Sequence, residues 1–466
     1  MNRTNQKTQK NSTVILGIDV GTSGIRGSIV KKSLDSSDQI LASAKISMPT
    51  PRESLDSFGN SVISQDPQIW IDFLTAMLDR LARKQPLESV DYLIVDATSS
   101  TVLLFDLYGN PVSQALMYND NHARSEAALI EDKITQAGAF SGASGASSSL
   151  AKILSLAKQT THSAPLYICH QVDFINYFLC GVMGKTDENN ALKLGYDSIN
   201  QRWPSWVLTL LSEQNLSPPK VIAPGEMLDK ISPKLVKRFG FSADAKVMAG
   251  TTDSIAGFLA SGACQTGDAV SSLGSTLAIK WLSNKPVFDS SLGLYSHKLA
   301  DQWLVGGASN SGGKVLLQHY SIEQLTKLDM VMYKDELKSI LQENRSYYPL
   351  PAVGERFPVA DPDKRPELPE KTSCNASDIE DSSDCLLQHI NYFRRLTLGL
   401  TQVEVSAYQK LQQIAGQSVN RIFSVGGGLQ NKTWMQFRHE LLPAPLISAE
   451  NLDAAYGVTK LIKLNQ

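Results

Sequence analysis

Two aspartates stand where a carboxylate could act on a bound molecule. Asp253 lies in Ala249-Gly-Thr-Thr-Asp253-Ser-Ile255, which reads as a strand turning into a helix, and Asp19 follows the β-branched run Thr13–Ile18, beside Gly21 and Thr22. A carboxylate at such a corner can project into a cleft, where one could hold Mg2+ and the other accept a proton from a hydroxyl. Aspartate at a helix start also caps free N–H groups, so the residues alone leave Asp253 open between base and cap. Four glycine-rich turns adjoin expected strands: 17–24, 274–276, 306–307 with 312–313, and 426–428. Glycine lets backbone N–H groups approach a phosphate. One Gly-Gly pair is usually a plain turn, and only the set of four carries weight.

Several chemistries lack their motifs. The stretch Gly307 to Lys314 fails the P-loop spacing, and Val315 stands where Ser or Thr should follow the lysine. No G-x-G-x-x-G opens a helix after a strand, and H-E-x-x-H, G-x-S-x-G and H-R-D are absent. Dinucleotide binding, zinc hydrolysis, serine esterase and protein kinase chemistry are therefore unsupported.

The elements that must position these residues alternate. Thr13–Ile18 and Ile25–Val30 flank the first glycine turn as a hairpin, and 268–273 with 277–281 repeat the pattern around Gly274-Ser-Thr276. Two such hairpins, one per half, suggest a duplicated domain. Helices are expected at 69–81, 123–136, 148–159, 254–262, 386–414 and 434–441, and strands at 92–96, 246–249 and 421–425, which makes the chain α/β. The acid-rich stretch 370–384 reads as an exposed loop. At 466 residues, two domains of about 200 residues each are expected.

With 44 Lys+Arg against 46 Asp+Glu, the chain has no basic footprint for nucleic acid or membrane surfaces, so small-molecule partners are favoured. The five cysteines (Cys169, Cys180, Cys264, Cys374, Cys385) are widely spaced without a C-x-x-C pair and read as reduced thiols. No run reaches membrane-span length, and residues 1–12 read as a disordered polar tail without a secretory core. A cytoplasmic location is expected, plastid stroma in a plant.

Longer motifs sharpen this. Asp19-Val-Gly-Thr-Ser-Gly-Ile-Arg26 resembles the phosphate hairpin of the sugar kinase and actin-like ATPase superfamily, and the remainder resembles its FGGY carbohydrate kinase branch. Gly250-Thr-Thr-Asp253 resembles that family's catalytic segment, and Ser272-Leu-Gly-Ser-Thr276 its second phosphate loop. Gly354-Glu-Arg-Phe-Pro358 with Asp361-Pro362, and Gly426-Gly-Gly-Leu-Gln-Asn431 through Gln436, are similar to two further signatures, in order from about Val14 to Lys460. Within the branch, Asp96-Ala-Thr-Ser-Ser-Thr101, Asn190–Tyr196 and Leu294–Lys298 resemble the compact D-ribulose kinases of cyanobacteria and plastids. Xylulokinases carry Gln-Met-His-Gly where this chain has Ala97-Thr-Ser-Ser100, which moves the implied substrate from D-xylulose toward D-ribulose.

The resemblance implies two actin-like (ribonuclease H-like) domains with a nucleotide cleft between them. The sugar domain would span 13–260 plus about 446–466, and the ATP domain 261–445. Asp253 would be the base and a sugar ligand; Asp19 would hold Mg2+ and also meet the sugar, alongside Ser99 and Asp120. ATP would lie against Gly21, Thr22, Ser23, Arg26, Gly274, Ser275 and Thr276, with its adenosine near Gly307, Gly427 and Asn431. A monomer or homodimer is expected. Another pentulose or polyol kinase, and a non-catalytic actin-like ATP-binding regulator, stay open as alternatives.

Overall fold

The apolar run after Ser12 forms β1 (Ser12–Val20), buried on both faces from Ile15 onward, as suits a strand covered from two sides. It is seen in a computed structural model that describes residues 12–463 except 57, 139, 161–163 and 381. The expected tail therefore lies outside the described residues, apart from Ser12. Across the glycine turn β1 pairs antiparallel with β2 (Gly24–Ser33), which pairs in turn with β3 (Ser36–Ser47). On its other side β1 runs parallel to β4 (Tyr92–Ala97), which runs parallel to β6 (Lys246–Thr252), and β5 (Met227–Lys230) closes the edge. The spatial order is β5-β6-β4-β1-β2-β3.

Helix α1 (Pro67–Ala82) covers this sheet. Asp66 accepts the Gln68 N–H at 2.9 Å and Pro67 sets the first turn, while Trp70, Leu74, Met77, Leu78 and Leu81 recur at helical spacing and are fully buried. A second six-stranded sheet in the same unit contains the strand Val102–Phe105 and packs under α2 (Ser149–Gln159). Helix α3 (Asp253–Ala260) follows β6 directly. This unit runs to Ala260 and resumes at Asn451; Ser261–Glu450 form the other.

The second unit repeats the frame. β7 (Asp268–Leu273), β8 (Leu277–Ser283) and β10 (Gln302–Ser309) form an antiparallel meander, with β9 (Tyr295–Leu299) on its edge. β11 (Arg421–Val425) and β12 (Leu446–Ser448) extend the other side in parallel, giving β9-β10-β8-β7-β11-β12. Remove one edge strand from each sheet and the order β3-β2-β1-β4-β6 matches β10-β8-β7-β11-β12, strand direction included. The duplication expected from two hairpins thus extends through five strands. One boundary needs correcting: Leu446–Ser448, expected in the first domain, pairs with Ile422–Ser424 and belongs to the second unit.

Helices α4 (Gly313–His319), α5 (Ile322–Leu328), α6 (Ser383–Ala415) and α7 (Lys432–Leu441) complete this unit. α6 starts on the Ser382 hydroxyl and stops at the left-handed Gly416. Its fully buried Glu404 takes both Arg438 Nε and Nη2 from α7, at 2.8 and 2.9 Å. Ser271 of β7 donates to Glu404 at 2.6 Å, and Arg438 donates to Ser424 of β11 at 2.9 Å, so one ion pair ties two helices to two strands. No described helix is long and apolar enough to cross a membrane.

The reduced-thiol expectation needs a second correction. Cys374 and Cys385 form a disulfide, while Cys169, Cys180 and Cys264 remain thiols. The stretch 370–384 turns back through a short helix at Ala376–Ile379 and buries Ile379, which brings Cys374 onto the first turn of α6. A separation of 11 residues through polar sequence gave no sign of that reversal.

The buried pair supplies a test. Glu404→Leu would strand the Arg438 charge and should destabilise the second unit by about 3–5 kcal/mol in urea unfolding, whereas Glu404→Leu with Arg438→Met should recover most of the loss. A double variant no more stable than the single would refute this account of the pair.

Candidate active site

Three parallel strands deliver carboxylates to one end of the first sheet. Asp19 is next to last in β1 and lies beside Asp96 of β4, which lies beside Thr251 of β6; Asp253 then opens α3. The β6 register shifts between Met248 and Thr251, and only glycine fits there, because a Cβ on Gly250 would lie 1.6 Å from the Val95 carbonyl oxygen. That shift sets where the strand ends and hence where Asp253 projects.

A cavity of about 300 Å3 at this corner is lined by Asp19, Gly21, Ser23, Arg26, Asp253 and Ser254. The sequence-predicted residues of the first turn therefore converge with both aspartates. Thr22 is half-buried in the same turn but does not line the cavity. Lys45 and Ala454, to which sequence gave no role, complete the wall. Asp253 is half-buried, and its Oδ1 accepts the N–H of the adjacent Ser254 at 2.6 Å.

Burial dominates the electrostatics of the corner. Burial raises the Asp19 pKa to about 6; Arg26, with Nη1 3.4 Å from Oδ2, opposes that rise, and the charges of Asp253 and Asp453 reinforce it. Asp96 is fully buried, neither carboxylate oxygen meets a donor among the described residues, and burial pushes its pKa well above the ordinary range. Burial and the nearby charges of Asp19 and Asp253 thus favour the protonated form of Asp96. Among the described residues no three metal-ligating side chains form a cage. Mg2+ usually takes one or two protein carboxylates and completes its shell with phosphate and water, and two carboxylates, Asp19 and Asp253, line this cavity.

Beyond Asp96 the turn 98–101 is held from below. Gln171 Oε1 accepts the Thr98 hydroxyl at 2.6 Å and the Thr98 N–H at 3.1 Å, and Gln171 N–H donates to Thr101 O at 3.0 Å. Ser99 belongs to this turn, and its hydroxyl is buried without a partner among the described residues. A buried orphan hydroxyl is costly unless a ligand completes it. Asp120 is fully buried, accepting the Ile63 N–H at 2.7 Å and lying 2.6 Å from His122 Nδ1, bonds that make it a support of its loop.

In the second unit Gly274, Ser275, Gly427 and Asn431 line a separate cavity of about 580 Å3. Gly313 N–H donates to Gly274 O at 2.9 Å, and Gly426, at φ +97°, lets its turn close against Leu273, where a Cβ would lie 2.8 Å from the carbonyl oxygen. Leu316, Leu317, Ile322 and Leu325 form an apolar wall that sequence reading missed. Thr276 is exposed and outside this lining. Gly307 needs correction: it is buried within β10 opposite Ile279, so the pair 306–307 is strand interior and not a turn. An apolar wall beside glycine turns, where a ligand can approach the backbone closely, suits a flat base and its phosphates.

Residues 14–260 match the FGGY family of carbohydrate kinases, N-terminal domain. A xylulose kinase of Staphylococcus xylosus is 22% identical over 474 residues, covering 97% of this chain and 91% of that protein. A gluconokinase of Bacillus subtilis (strain 168) is 20% identical over 466 residues, covering 95% and 86%. The solved structure of a ligand-bound xylulose kinase from Lactobacillus acidophilus aligns with a TM-score of 0.74 at 18% identity, covering 97% of this chain and 90% of that one. The fold is that of the two-domain, actin-like sugar kinases.

The raised Asp19 pKa has a measurable sign. Folded Asp19 keeps its proton up to about pH 6, against the ordinary 3.8, so the folded state binds more protons in that window and loses stability as pH rises through it. Asp19→Asn has no such proton to lose. The variant should gain about 2–3 kcal/mol on the parent between pH 4 and 6 in urea melts and hold that lead above, whereas a pH-independent difference would contradict the shift.

Proposed function

Because the chain belongs to the FGGY family of carbohydrate kinases, we propose that it transfers the γ-phosphoryl group of ATP to a pentulose, D-ribulose before D-xylulose, with Asp253 as general base. One observation carries the reading: Asp253 and Asp19 line the same cavity as the phosphate turn Gly21–Arg26. A base must reach the attacking hydroxyl while that hydroxyl is in line with the phosphorus, and a shared cavity permits both.

The sugar hydroxyl gives its proton to Asp253 as its oxygen bonds to the γ-phosphorus, and the bond to the bridging oxygen breaks to release ADP. In the first unit Gly21, Ser23 and Arg26, bordered by Thr22, are the phosphate contacts; in the second unit Gly274 and Ser275, bordered by Thr276, are those of the nucleotide. Leu316, Leu317 and Ile322 pack on adenine between Gly427 and Asn431. Bound at Asp19, Mg2+ would neutralise phosphate charge. Ser99 offers its orphan hydroxyl to the sugar. That serine, in place of a bulkier histidine-bearing segment, supports D-ribulose; relatives named xylulose kinase support D-xylulose as the second reading.

A coupled ADP-release assay across D-ribulose, D-xylulose, gluconate and simple polyols tests this. The highest kcat/KM is expected for D-ribulose; a D-xylulose preference would replace the substrate, and no sugar-stimulated release would overturn the kinase reading. Asp253→Asn should lower kcat by about 10²–10⁴-fold while ATP affinity is kept. Full turnover in that variant would sink the base assignment.

A further inference from the structure

Beneath the turn that carries Ser99 lies a buried lysine with no part in the chemistry above. Lys152, on α2, is 0% exposed, a rare place for an ammonium group. Its Nζ donates to the carbonyl oxygens of Ser100 and, at 2.9 Å, of Met117. The Met117 carbonyl also accepts the Asp120 N–H at 3.0 Å. One amine therefore joins the Ser99 turn, the Asp120 loop and helix α2.

The turn needs such a tie. Ser100 sits at φ +70°, in the left-handed region that a side chain with Cβ enters only against a steric cost. Its hydroxyl is 3.0 Å from that of Ser149, at the start of the same helix, so Ser100 is gripped by α2 at both its carbonyl and its side chain. The preceding residue is Ser99, whose hydroxyl is buried and unsatisfied. A peptide turned left-handed at Ser100 sets the direction of the Ser99 side chain. Burial pulls the Lys152 pKa down to about 7 against the opposing charge of Asp120, with Lys193 adding to the fall. Neutral or charged, the amine keeps at least two N–H groups for its two carbonyls.

We propose that Lys152 is a positioning residue for the sugar: by bonding to Ser100 and Met117 it holds Ser100 left-handed and so aims the Ser99 hydroxyl, setting sugar affinity without touching the sugar. The inference rests on Ser99 being a sugar contact, as proposed above.

The test is steady-state kinetics of the full-length enzyme with D-ribulose and D-xylulose. Lys152→Met should raise the sugar KM by about ten- to a hundredfold, the scale of a misplaced contact, with the ATP KM within about twofold of the parent. Glycine enters the left-handed region freely, so adding Ser100→Gly should recover most of the sugar KM. A purely structural role would instead raise both KM values together and would not be rescued by glycine. That result, or an unchanged sugar KM, would overturn the proposal. Should the methionine variant not fold, Lys152→Gln, which keeps an N–H donor on a shorter chain, takes its place with the same expected split. If the parent turns over no sugar, the reading of Ser99 fails instead. A crystal structure of the Lys152 variant then decides: Ser100 leaving the left-handed region supports the tie, and Ser100 staying there removes it.

Discussion

Asp19, Asp96, Asp253 and Asp453 gather around one end of a single sheet, and the burial of Asp19 and Asp96 there is the cost the first unit must offset. Loss of solvation raises both pKa values, and the neighbouring carboxylates add to the rise. The offset comes from packing. β1 and β4 are almost wholly buried, so the strands cannot splay to separate the acids without exposing the core. Arg26 gives partial relief from one side. What remains is a preorganised negative corner that favours any cation brought to it, and phosphoryl transfer brings one with the nucleotide.

The second unit solves a different problem with the same frame. Its ion pair, Glu404 with Arg438, is fully buried, bidentate and supplemented by two serines, so few lone pairs or N–H groups go unmet. That pair fixes α6 and α7 against β7 and β11, the strands whose ends carry the turns at Gly274 and Gly426. The lining of its pocket sets the apolar wall of Leu316, Leu317, Ile322 and Leu325 beside polar residues such as Asp329 and Asn431.

Much of this was legible in the chain because local chemistry and global fold agree. Strand 421–425 is found as read, the expected helix 386–414 extends only to Ser383–Ala415, and both glycine hairpins form. The converging aspartates were legible too, since each sits at a strand end. Other features depend on partners distant in sequence. Gly306 and Gly307 look like a turn until β8 pairs with them, and nothing local shows that the Asp120 carboxylate also braces Ile63. The Cys374–Cys385 bond required a loop reversal that no periodicity announces. Lys152 could be seen as a helix residue, but its amphipathic pattern said nothing of which carbonyls it would meet.

The likeness of the two sheets has a chemical corollary. At the next-to-last station of β1, opposite Arg26 and beside Asp96, unit 1 has Asp19; at the same station of β7, opposite Ala278 and beside Val425, unit 2 has Ser272. One copy of the frame thus keeps three ionisable side chains where the other keeps none. Symmetry of backbone has been retained and symmetry of charge discarded. A cation is therefore drawn to this station in unit 1 and meets no ionisable side chain at the matching station in unit 2.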